Sequence, residues 1–160
     1  MKLKYISWLP ALIIMIVIFC FSAKPAEDSG ESSLLISRQL LSVYEDITNV
    51  SYQGLEELQV LELLDHIVRK TAHFIEYMVL AAAWFLHFTI WKTELKRRVG
   101  FSILIASAYA ATDEYHQTFV AGRSGQISDV VLDSCGALAG AFILLLIVII
   151  IRKCQHKRKI

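Results

Sequence analysis

Apolar residues gather into four runs: Tyr5 to Phe21, Ile67 to Trp91, Val99 to about Val120, and Val130 to Ile151. A helix of ~20 residues crosses ~30 Å of hydrocarbon, so the last three are long enough to span a bilayer and the first is a little short. The pattern predicts an all-α fold, a four-helix transmembrane bundle with spans at about 5–22, 67–91, 99–120 and 130–151. Residues 23–66 form an extracytoplasmic segment, acidic on balance through Glu27, Asp28, Glu31, Glu45, Asp46, Glu56, Glu57, Glu62 and Asp65. Within it, Leu34, Leu40, Leu41, Tyr44 and Ile47 predict one short amphipathic helix, and Leu58, Leu61, Leu64 and Val68 a second. Asn49 to Gly54 is the turn between them. Two helices lying on the membrane surface are expected, with a lid over a site as the alternative. Residues 1–160 read as a single membrane domain.

Composition agrees with that pattern. Hydrophobic residues make up 56% of the chain and the mean hydropathy is +0.52, too apolar for an ordinary soluble domain. A net charge of +1 says little, because the charges are segregated by region. No basic stripe or stacking aromatic series points to nucleic acid. Cys20, Cys135 and Cys154 share no extracellular segment, so no structural disulfide is expected. Cleavage after Ala23 would need a small residue where Phe21 stands, so the first run reads as an uncleaved helix.

Orientation follows from the basic residues. Lys92, Lys96, Arg97 and Arg98 separate the second and third runs, and Arg152, Lys153, Lys157, Arg158 and Lys159 follow the fourth. Both sets belong in the cytoplasm, with Lys2 and Lys4 agreeing, so both termini are expected inside. Trp84, His87 and Trp91 then lie near the inner surface as packing or interfacial residues.

That topology gathers the polar residues of the apolar runs at the outer end. Lys70, His73, Glu76 and Tyr77 open the second span, Asp113, Glu114, His116 and Gln117 close the third, and Asp129 and Asp133 open the fourth. At ~100° per residue, Lys70, His73, Glu76 and Tyr77 fall within an arc of about 120°. Ser102, Ala106, Ala110, Asp113 and Gln117 make a small-and-polar line down the third helix. Asp129, Asp133, Gly136 and Gly140 make another on the fourth, where Gly136-Ala-Leu-Ala-Gly140 allows close backbone approach. A polar, acid-rich pocket at the outer leaflet is the expected result: Glu76, Asp113, Glu114, Asp129 and Asp133 against Lys70 and Arg123. Raised pKa values or a divalent cation at Asp129 and Asp133 would balance it. An N-cap role accounts for Asp129 alone, but not for Asp133 a turn deeper.

The same residues resemble the VanZ-like family of small bacterial membrane proteins. The resemblance is carried by Phe21-Ser22 with Pro25, by Arg69-Lys70-Thr-Ala-His73-Phe74-Ile-Glu76-Tyr77, and by Asp113-Glu114-Tyr-His116-Gln117-Thr-Phe119 with Arg123, Asp129, Asp133, Gly136 and Gly140. Lys24 stands where a Gln is expected. The resemblance implies a multi-pass protein of the plasma membrane and a role in the cell envelope. The family is named for a member associated with reduced susceptibility to teicoplanin, a lipoglycopeptide antibiotic.

Three functions compete. An enzyme acting on an envelope lipid or lipid-linked precursor would hold an anionic group with Lys70 and Arg123, assisted by Tyr77 and Gln117. His116 or His73 would be its general acid or base, oriented by Asp113 or Glu76. Asp133 would position substrate or a metal. A non-catalytic binder would mask or present an envelope component or the lipid tail of a lipopeptide. A proton-coupled carrier would relay through Glu76 and Asp113, yet only His87 continues such a path inward.

Overall fold

The computed structural model describes residues 4–157. Lys2, Arg158 and Lys159, counted above among the basic flanks, lie outside them. Within the described residues there are five helices and no strand: α1 (Leu9–Ser22), α2 (Ala26–Thr48), α3 (Leu55–Ile90), α4 (Leu95–Gln117) and α5 (Ile127–Lys157).

Helix α1 starts at Leu9 rather than Tyr5, because Pro10 has no amide to donate and fits only a first turn. Asn49, in the left-handed region at φ 55°, ends α2. Gly54, at φ 63°, precedes α3, so the turn expected over 49–54 is bounded by residues that tolerate positive φ.

The largest departure from the sequence pattern is α3. The second amphipathic helix and the second span are one continuous helix of 36 residues. No Gly or Pro interrupts residues 55–90, and a change of hydrophobic pattern near Val68 alone does not break a helix. At 1.5 Å per residue α3 is about 54 Å long, well beyond the ~30 Å of a hydrocarbon core. Its first half therefore projects beyond any hydrocarbon layer that its second half spans. Helix α2 packs against α3, with Leu41 and Leu61 buried.

Helices α3 and α5, the latter over Ile127–Gln155, are long and apolar enough to cross a membrane. Helix α1 is apolar but has 14 residues. Helix α4 begins and ends earlier than the expected 99–120, placing Lys96, Arg97 and Arg98 in its first turns and carboxylates in its last.

Small residues fill the interior. Ala81, Ala106, Ala110, Ala137 and Ala141 are fully buried. A Cβ on Gly136 would strike the carbonyl of Phe74, and one on Gly140 the carbonyl of Met78, so the α5 glycines set the approach of α5 to α3. The small-and-polar line of α4 points inward throughout, with Ser102, Ala106, Ala110, Asp113 and Gln117 all buried. Large apolar side chains such as Ile13, Ile16, Val79, Leu104, Phe142 and Leu146 face outward.

The two ends of the bundle differ. At one end, Ser7 Oγ lies 2.9 Å from His87 Nδ1, and Trp91 Nε1 donates to the same hydroxyl at 3.3 Å. The Lys4 ammonium sits 4.3 Å from the Trp91 ring centroid. This end also carries the basic α3–α4 turn. The polar residues of α3, α4 and α5 meet at the other.

Candidate functional site

A cavity of about 520 Å³ opens at that second end, between α2, the middle of α3, the close of α4 and the first turn of α5. Lys70, His73 and Glu76 line it from α3 because residues three apart share a helix face. Gln117 comes from the last turn of α4, Arg123 and Gln126 from the α4–α5 loop, and Asp129 from α5. Ser29, Ser32, Ser33 and Ile36 of α2 complete the wall.

Polar contacts fix the rim. Lys70 donates to Asp129 Oδ1 in an ion pair between α3 and α5. Arg123 Nε donates to the Lys24 carbonyl at 3.0 Å and Nη2 to the Phe21 carbonyl at 3.2 Å, satisfying acceptors at the end of α1. Its Nη1 donates to Gln117 Oε1 at 3.4 Å, and Gln117 Nε2 donates to Asp113 Oδ2 at 3.1 Å. Among the described residues Arg123 has no carboxylate partner. Burial lowers its pKa and Asp113 opposes that shift; a guanidinium stays charged in either case. The loop itself is held by Glu114, whose Oε2 accepts the Gln126 amide at 2.9 Å.

Beneath the cavity lies a second polar layer. Tyr77 and Asp133 are 0% and 1% exposed, Asp113 is also buried, and none of the three lines the cavity wall. Tyr77 Oη, Asp113 Oδ1 and both Asp133 oxygens have no hydrogen-bond partner among the described residues. Such groups are expensive to bury and uncommon, which marks the layer as more than packing.

The expected residues are thus divided. Lys70, His73, Glu76, Gln117, Arg123 and Asp129 share the cavity, whereas Tyr77, Asp113 and Asp133 lie below it. His116 is elsewhere, its ring 4.7 Å from that of Phe19 on α1, with no hydrogen bond to Asp113. The charge count changes with this division. The cavity wall presents Arg69, Lys70 and Arg123 against Glu76 and Asp129; Asp113, Glu114 and Asp133, three of the acids expected in it, are absent from the wall. Arg69 also pairs with Asp65 at 3.2 Å.

No group of three or more His, Cys, Asp or Glu side chains among the described residues is arranged to hold a metal. Lys70 takes the charge of Asp129 that a cation would balance, while Asp133 lies a turn deeper, so the donor set does not fit a divalent ion. Sequence reasoning missed the serines of α2 and took Arg69 for a motif residue without giving it a place in the site. The signal was there in Ser29, Ser32 and Ser33, which fall on one helix face.

No curated protein and no solved structure matches the chain. A sequence model of the VanZ/LLP1 family, in contrast, matches residues 7–150, nearly its whole length. On that match the chain belongs to the VanZ/LLP1 family.

Proposed function

We propose that this is a four-span protein of the bacterial plasma membrane, with both termini cytoplasmic and its cavity at the outer leaflet, and that it acts on an envelope lipid or lipid-linked precursor. One observation carries the proposal: polarity is inverted. Ser22, Ser102, Asp113, Glu114, Gln117 and Asp133 are buried while large aliphatic side chains cover the exterior. Water would disfavour that arrangement and hydrocarbon favours it. Intramembrane acids with a cavity above them are the usual mark of a functional site.

In the enzymatic form of this function, Lys70 and Arg123 hold the anionic group of the lipid, and Gln117 steadies Arg123. His73 takes a proton from an attacking water or acceptor hydroxyl and returns it to the leaving group. Glu76, one turn further along α3, shares the cavity with it. Changed amounts of such a lipid would alter susceptibility to a lipoglycopeptide.

A non-catalytic binder is the second reading. It is favoured by the lack of a hydrogen bond between His73 and any carboxylate among the described residues, Nδ1 being buried without a partner. Profiles of membrane lipids and cell-wall precursors separate the two. Cells overproducing the intact protein should differ in one lipid species from cells with equal amounts of His73→Gln. Identical profiles, with the same species copurifying with both proteins, would establish the binder.

A further inference from the structure

One face of α2 changes character along its length. At ~100° per residue, Ser29, Ser32, Ser33, Ile36, Leu40, Val43 and Ile47 fall within an arc of about 100°. The three serines and Ile36 line the cavity. Beyond it the face is hydrocarbon: Ile36, Leu40, Val43 and Ile47 are 50%, 48%, 55% and 76% exposed. The stripe from Ile36 to Ile47 is about 16 Å long. Glu27, Glu31, Arg38 and Glu45 occupy the opposite side of the helix, so the stripe is a distinct surface.

Helix α2 packs against α3, and its apolar stripe leads away from the cavity wall at Ile36. Ile36 belongs both to the cavity wall and to the start of the stripe. The polar part of one ligand in the cavity would therefore leave its apolar part at Ile36.

Resting on the function proposed above, we infer that the ligand is an amphiphile with a phosphate-bearing anionic head and a flexible hydrocarbon chain. The head lies between Arg123, Lys70 and the α2 serines, and the chain runs out along Ile36, Leu40, Val43 and Ile47. Arg123 suits the head because its three hydrogen bonds all go to neutral oxygens, leaving it without a salt-bridge partner among the described residues. Hydroxyls at Ser29 and Ser32 supply donors for the remaining phosphate oxygens.

The test uses the full-length protein in phosphatidylcholine nanodiscs. The probe is a monoalkyl phosphate with a diazirine at the chain end, and the control an alkyl glucoside of the same chain. Photolabelling by the phosphate probe should fall between Leu40 and Ile47, and the glucoside should not label there. Affinity should rise with chain length, and Leu40→Glu/Val43→Glu, both at exposed positions, should weaken it about tenfold. Inorganic phosphate binding as tightly as the alkyl phosphate would overturn the inference, since the chain would contribute nothing. So would saturable labelling confined to the membrane-facing side chains of α3 and α5, a result that leaves the proposed function standing. A Leu40→Glu/Val43→Glu variant that turns a dimer into a monomer with labelling unchanged would assign the stripe to a second copy instead. Absence of saturable binding by every phosphate probe would remove both the inference and the lipid function.

Discussion

Lys70, in the middle of α3, is ion-paired with Asp129 in the first turn of α5. The pair closes one side of the cavity and joins the two helices long and apolar enough to cross a membrane, where their surfaces turn polar. It is partly exposed, so its contribution is modest. A double-mutant cycle with Lys70→Met and Asp129→Asn, read by thermal unfolding in detergent, should give a coupling on the order of 1 kcal/mol. Strict additivity would show that the two side chains act independently.

Arg123 braces a different seam, from the α4–α5 loop to the end of α1. Its planar fork reaches two backbone carbonyls and Gln117 together, a geometry that an ammonium does not reproduce. Arg123→Lys should therefore destabilise the protein by about 1–3 kcal/mol and loosen ligand binding. Full stability in Arg123→Lys, by the same unfolding measurement, would show that the brace depends on charge alone.

The glycines of the chain make opposite predictions. At Gly136 and Gly140 a methyl group meets backbone carbonyls of α3 that have no room to withdraw. Gly140→Ala should cost about 1–3 kcal/mol. Gly100, inside α4, has open space where a Cβ would stand, with nothing within 4 Å, and Gly100→Ala should stabilise its helix by up to ~1 kcal/mol. Equal effects at the two sites, measured by thermal unfolding, would contradict the close approach of α5 to α3.

Proton transfer at His73 predicts a separation of turnover from binding. His73→Gln should lower turnover of the lipid by about 10²–10⁴ while the copurified amount of that lipid changes little. Glu76→Gln should lower turnover less. Turnover at the intact rate in His73→Gln would remove His73 from the chemistry.

Much of this arrangement is legible in the sequence because it depends on helical spacing. The shared face of Lys70, His73 and Glu76, the buried line from Ser102 to Gln117, and the glycines of α5 all follow from 3.6 residues per turn. Spacing gives the direction of a side chain, but not the element that covers it. For that reason spacing alone puts Asp113 and Asp133 in the pocket, whereas they lie in the layer below. His116 shows the same limit. It is one turn from Asp113, yet α1 brings Phe19 against it. Continuity of α3 is legible only as the lack of a breaker between Leu55 and Ile90, and the change in hydrophobic pattern near Val68 obscures it.

Accessibility of the cavity mouth tests the proposed topology most directly. The native cysteines, Cys20, Cys135 and Cys154, are first replaced by Ser, and single cysteines are introduced at Ser124, beside the cavity, and at Thr93, in the basic turn at the far end. Intact cells are then treated with a membrane-impermeant maleimide. Labelling at Ser124 with none at Thr93 until the cells are opened is the predicted result. Labelling at Thr93 with protection at Ser124 would turn the cavity to the cytoplasm and contradict an outer-leaflet site.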